Sequence, residues 1–125
     1  GDNATEDNIV LAANKTYDVA ITLLNETVDP AEDITEEVEE EGEAHRFYYE
    51  RSAGSHITVS DRDTDGTGVP LGITSTWTTT SATTGSITIT LRHYPGNPPD
   101  KQIPDPVNSP KSSTDITVTF STTVN

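Results

Sequence analysis

Alternation of apolar and polar side chains, repeated in short segments, is the feature that most limits what this chain can fold into. SITITLRH sets Ile87, Ile89, Leu91 and His93 on one face and Thr88, Thr90 and Arg92 on the other. TYDVAITLL repeats the pattern with Tyr17, Val19, Ile21 and Leu23, and HRFYYERS with His45, Phe47 and Tyr49. SHITVS turns Ile57 and Val59 inward, ITSTWTT turns Ile73, Ser75 and Trp77, and TDITVTF turns Ile116, Val118 and Phe120. A period of two belongs to strands that bury one face. Only 30% of the 125 residues are apolar, which suffices when each strand needs apolar groups on a single face. About six such segments with turn signals between them, and a single central Trp, predict an all-β fold. The expected architecture is one immunoglobulin-like antiparallel β-sandwich over residues 1–125, with residues 1–8 as a flexible lead and 94–114 as a proline-rich loop.

One segment breaks the alternation. DITEEVEEEGEAHRFYYE, from Asp33 to Glu50, places six glutamates between Glu36 and Glu43 and runs through His45 into an aromatic strand. Asp33 can cap a short acidic helix, with Glu36 three residues later at capping-box spacing. Ile34 and Val38 share a face, and Gly42 is expected to stop the helix. Glu39 to Glu41 then sit where the helix dipole prefers cations.

The charge excludes whole classes of function. Seven Lys and Arg face 21 Asp and Glu, a net charge of −14. Such a surface repels nucleic acid and anionic membranes and attracts cations and basic partners. With no cysteine, disulfides, thiolate catalysis and Cys-type zinc sites are excluded. No serine stands in a nucleophile elbow, and no phosphate loop or dinucleotide fingerprint is present. An enzyme is therefore not expected.

Two candidate cation sites can be drawn. In an immunoglobulin-like order the strands of His45 and His93 are antiparallel neighbours, which brings both rings to one end of the sandwich. With Glu41 or Glu43 they could hold zinc, copper or nickel; equally, two histidines can close the rim of a core beside a solvated glutamate face. Asp61, Asp63 and Asp65, followed by Gly66, match the first half of a calcium loop. Position twelve is Gly72 rather than Glu, so an EF-hand is excluded, and the same residues suit a plain β-turn. Glu36, Glu37, Glu39 and Glu40 form a candidate docking face for a basic partner.

The blocks LAANKTYDVAITLLNE, DITEEVEEEGEAHRFYYE, PLGITSTWTTTSATTGSITITLRHYP and TDITVTF, in this order over residues 9 to 122, resemble a family of small Bacteroidetes outer-membrane lipoproteins. These are often labelled "type 1 periplasmic binding fold" proteins and accompany TonB-dependent receptors. The resemblance implies a cell-surface or extracellular, outer-membrane-associated protein, joined to membrane only through a lipid anchor absent from this chain. Family members begin with a further strand upstream of the segment matching GDNATEDN. Its absence here is expected to reflect trimming, or to leave a sheet edge for a strand from another chain. The expected function is a non-catalytic, surface-exposed binding module. It would be an accessory subunit of an uptake complex, with cation capture or partner docking at its acidic end. The alternative is a structural subunit of a surface assembly or filament held by strand donation. The expected partner is an outer-membrane receptor or copies of the chain itself.

Overall fold

The computed structural model describes residues 8–125; apart from Asn8, the lead expected over residues 1–8 lies outside the described residues. Among the described residues nine strands follow in chain order: β1 Ile9–Leu11, β2 Thr16–Ala20, β3 Leu24–Asn25, β4 Glu32–Asp33, β5 His45–Arg51, β6 Ile57–Ser60, β7 Thr74–Thr79, β8 Thr83–His93 and β9 Ser113–Val124. Helix α1, Ile34–Glu40, and a 3₁₀ turn, Gly42–Ala44, lie between β4 and β5.

The strands form two main sheets, ordered β1-β9-β8-β5 and β2-β7-β6. Setting aside β1 and the β3–β4 pair, these are the C-F-G and B-E-D groupings of an immunoglobulin-like sandwich. Each register brings inward residues opposite one another. Trp77 stands between Tyr17 on β2 and Val59 on β6. On the facing sheet Phe47 pairs with Leu91, and Leu91 with Ile116. Trp77, Phe47, Ile87 and Leu91 are at most 3% exposed. The Trp77 indole donates to the Ser75 hydroxyl at 3.0 Å, which removes the cost of burying an unpaired N–H.

Three features depart from the sequence reading. Strand β1 and the β3–β4 hairpin are too short to show a period. Strand β5 is buried on both faces around Phe47, Tyr48 and Tyr49, so its alternation is masked. The cause is the proline-rich loop, which lies on its outer side: Tyr48 donates to the Asp105 carbonyl at 3.1 Å and pairs with the Tyr94 hydroxyl at 2.5 Å. Finally, Gly42 does not end the helix in a left-handed cap. The C-cap is Glu41 and Gly42 opens the 3₁₀ turn. A Cβ at Gly42 would stand 3.3 Å from the Leu71 side chain, so close packing is what the position requires.

The first strand covers only the end of its neighbour. It pairs in parallel with β9 only from Ile9 opposite Thr122 to Leu11 opposite Val124. Among the described residues, the outer edge of β9 from Ser113 to Ser121 has no strand partner.

Trp77→Ala is expected to cost about 3–5 kcal/mol in chemical denaturation, while exposed Thr58→Ala stays within about 0.5 kcal/mol. A loss below about 1 kcal/mol for Trp77→Ala would contradict its place in the core.

Candidate functional site: an acidic cleft

Helix α1 starts where the sequence places it. The Asp33 carboxylate accepts from the Thr35 N–H at 2.9 Å and the Glu36 N–H at 3.4 Å. Val38 is 4% exposed and holds the helix on the core. With Val38 inward, Glu36, Glu37, Glu39, Glu40 and Glu41 remain exposed. No basic residue occupies the last turn, so glutamates meet the negative end of the dipole unopposed. The crowding is visible in Glu37. Its carboxyl is raised above the ordinary range by a hydrogen bond with Glu32, then by the Glu32 charge, desolvation and the charges of Glu40 and Glu41.

The two acidic features of the sequence converge. Glu39 to Ala44 and Asp63 to Gly66, with Leu71 and Pro99, line one cleft of about 490 Å³. The loop between β6 and β7 reaches the cleft by hydrogen bonds across the sandwich. The Phe47 N–H donates to the Leu71 carbonyl at 2.8 Å, and the Tyr49 hydroxyl to the Gly72 carbonyl at 2.5 Å. Gly72 has φ +82, and a Cβ there would lie 2.8 Å from the Phe47 oxygen. Only glycine satisfies both conditions.

Beneath the cleft lies a group that sequence reasoning missed. Lys101, from the proline-rich loop, places its ammonium 2.9 Å from Asp65 Oδ2, with side chains 1% and 2% exposed. It also donates to the carbonyls of Gly42 at 2.8 Å, His45 at 2.7 Å and Pro70 at 3.1 Å. The other carboxylate oxygen of Asp65 accepts from the Thr67 N–H at 2.8 Å, the Thr67 hydroxyl at 2.6 Å and the Val69 N–H at 3.1 Å. Burial alone would raise the Asp65 carboxyl, but Thr67, Lys101 and Val69 outweigh it and hold it down at about 2. Burial lowers the Lys101 ammonium from its ordinary range, and Asp65 offsets part of that. The only sequence signal was negative: one of two lysines, Lys101 and Lys111, in a stretch without periodicity.

His45 and His93 do come together, as Cα partners across β5 and β8 with rings stacked at 4.9 Å. His45 Nδ1 donates to the backbone oxygen of Glu41 at 3.0 Å, and Nε2 lies 3.7 Å from Asp115. Glu41 thus meets His45 through its main chain, and Asp115 is a neighbour the sequence did not reveal. Among the described residues no group of three or more His, Cys, Asp or Glu converges to hold a metal ion. That holds for His45, His93, Glu41 and Glu43, and for Asp61, Asp63 and Asp65. Physically, two of the three aspartates are taken up by other groups of the protein. Asp63 accepts from the Thr74 N–H at 2.9 Å, and Asp65 is occupied by Lys101, Thr67 and Val69.

No protein-family model, curated protein or solved structure matches this chain.

Removing one member of a buried ion pair strands the other. Lys101→Met is therefore expected to lose about 3–5 kcal/mol on thermal or chemical unfolding, and Lys101→Met with Asp65→Leu to lose less than the sum of the two single changes. The Asp65 carboxyl sits lower folded than unfolded, so its contribution is present above pH ~4 and lost as pH falls toward 2. That loss amounts to about 2 kcal/mol. Asp65→Asn should flatten the acid limb of a stability–pH curve; an unchanged limb would contradict the ion pair.

Proposed function

We propose that this chain is a non-catalytic binding module displayed at the cell surface, an accessory subunit of an outer-membrane uptake complex, whose acidic cleft docks a basic segment of a protein partner. The observation that supports this reading is a concave surface whose glutamates, Glu39, Glu40, Glu41 and Glu43, have no salt-bridge partner among the described residues. Among the described residues the lysine–carboxylate ion pairs are Lys101–Asp65 and Lys111–Asp105, and His45 Nε2 lies 3.7 Å from Asp115. None involves a glutamate of the Glu36–Glu43 run. Three of the arginines are engaged elsewhere. Arg46 donates to the Ile103 carbonyl at 3.0 Å, Arg51 to the Ile57 carbonyl at 2.7 Å, and Arg92 to the Ser112 carbonyl at 2.8 Å.

The carboxylates lie around an open surface rather than at metal-ligand convergence, so the cation that suits them is a lysine or arginine side chain. Like-signed charge in a cleft also steers a basic partner toward it and speeds encounter. The resemblance to outer-membrane lipoproteins supports the surface location and the receptor as partner.

The test is an NMR titration with a short lysine- and arginine-rich peptide. Amide shifts are expected at residues 39–44 and 63–66, and binding should weaken at least tenfold between low and physiological salt. Changing Glu39, Glu40 and Glu43 together to lysine should abolish those shifts. Shifts spread evenly over Asp18, Glu26 and Glu50, and unaffected by the triple change, would refute the cleft as the docking site.

A further inference from the structure

A second surface, away from the acidic cleft, carries a different assignment. Between β9 and β2 the two sheets leave an apolar groove of about 280 Å³. One wall is Ile116, Val118 and Phe120; the other is Val19, Ile21 and Leu23; Trp77 lies at its floor. Ile116 is 37% exposed, although it belongs to the inward face of its strand. A cavity of about 150 Å³ already admits a benzene ring, so this groove has room for two or three aliphatic side chains.

The groove coincides with the open edge of β9. Ser113 to Ser121 present backbone N–H and C=O groups with no strand partner among the described residues. Ile116, Val118 and Phe120 recur every second residue along that edge, spanning about 13 Å. An incoming strand would bring three alternate side chains into the groove at the same spacing. At the β9 N-terminal end the groove runs into a pocket of about 220 Å³ that shares Leu91 and Ile116 with it and is lined by Glu37, Glu41 and Asp115. The occupant therefore meets apolar walls first and carboxylates at its end.

We infer that this groove receives an extended segment of a different polypeptide, which adds a strand to the open edge of β9. Its alternate residues are apolar, and it carries lysine or arginine at the end beside Asp115, Glu37 and Glu41. The occupant is not a second copy of these residues. Each apolar alternating segment of the sequence, from TYDVAITLL to TDITVTF, is already built into the sandwich. GDNATEDN and the proline-rich loop contain no such alternation. Strand addition also seats the domain in an assembly without any catalytic step. The proposal is separable from the acidic cleft, because its walls and its hydrogen-bonding edge are other residues and the two surfaces share only Glu41.

The experiment titrates isotopically labelled protein with two synthetic peptides, Lys-Thr-Val-Thr-Ile-Thr-Val-Thr and the same residues in reverse order, since the strand can run either way. At least one should produce saturable shifts of the amides between residues 114 and 121. N-methylation of every second peptide bond should abolish those shifts with the protein unaltered. Val118→Asp should do the same. Asp115→Lys should weaken the lysine-bearing peptide several-fold and leave a threonine-for-lysine peptide unchanged. Three results would overturn the inference: no saturable shift for either peptide at millimolar concentration, equal binding of N-methylated peptides, or self-association through this edge that Val118→Asp blocks. The last would assign the groove to a second copy. A basic peptide that shifts residues 39–44 but never 114–121 would leave the cleft standing and remove the groove.

Discussion

One buried ammonium holds the acidic end of this molecule together. Lys101 joins Asp65, Gly42, His45 and Pro70, which belong to two stretches of chain, residues 42–45 and 65–70, distant from each other and from Lys101 in sequence. A buried ion pair usually contributes little net stability, because desolvation offsets its attraction. Here both partners are fully hydrogen-bonded, and the ammonium also donates to three backbone carbonyls. The effect is positional. The 3₁₀ turn, the start of β5, the Asp65 loop and the proline-rich loop are fixed relative to one another, and the cleft is the surface they share.

The same economy of cations explains the surface. Arg46 lies 4.5 Å from the Tyr48 ring centroid and bonds the loop at Ile103. Arg92 donates to the Ser109 and Ser112 carbonyls, and Lys111 to the Asp100 carbonyl while pairing with Asp105. Four of the chain's seven basic residues thus pin a loop that has neither strand nor helix to order it. Few remain for the carboxylates outside. The cationic interior of the loop and the anionic exterior of the cleft are two sides of one distribution.

Much of the fold was legible because it depended on local pattern. The alternations around Trp77, Ile87 and Ile57 place those residues in the core, as read, and Asp33 caps the helix it was expected to cap. The histidine juxtaposition followed from strand order and parity alone. The rest depended on contacts distant in sequence. Lys101 meets residues 31 to 59 positions away, and a proline-rich stretch carries no period to announce such a contact. Tyr48 is buried by that same loop, which alternation on β5 cannot show. Asp65 had the spacing of a calcium ligand, but spacing does not say whether a carboxylate faces an ion or its own backbone. The meeting of the glutamate run with the aspartate turn, and the stretch of β9 edge that has no strand partner among the described residues, are properties of topology rather than of any segment.

The cleft, in this account, exists because Lys101 ties its walls together, and amide hydrogen exchange in Lys101→Ala tests that most directly. The Phe47, Asp65 and Tyr94 amides donate to Leu71, Val69 and Ala44 across the region the ammonium organises. Their protection is expected to fall together, while the amides joining β2 to β7 keep relatively more of theirs. If Phe47, Asp65 and Tyr94 keep the protection they have in the unaltered protein, relative to β2 and β7, the walls are held by something other than Lys101 and the account is wrong.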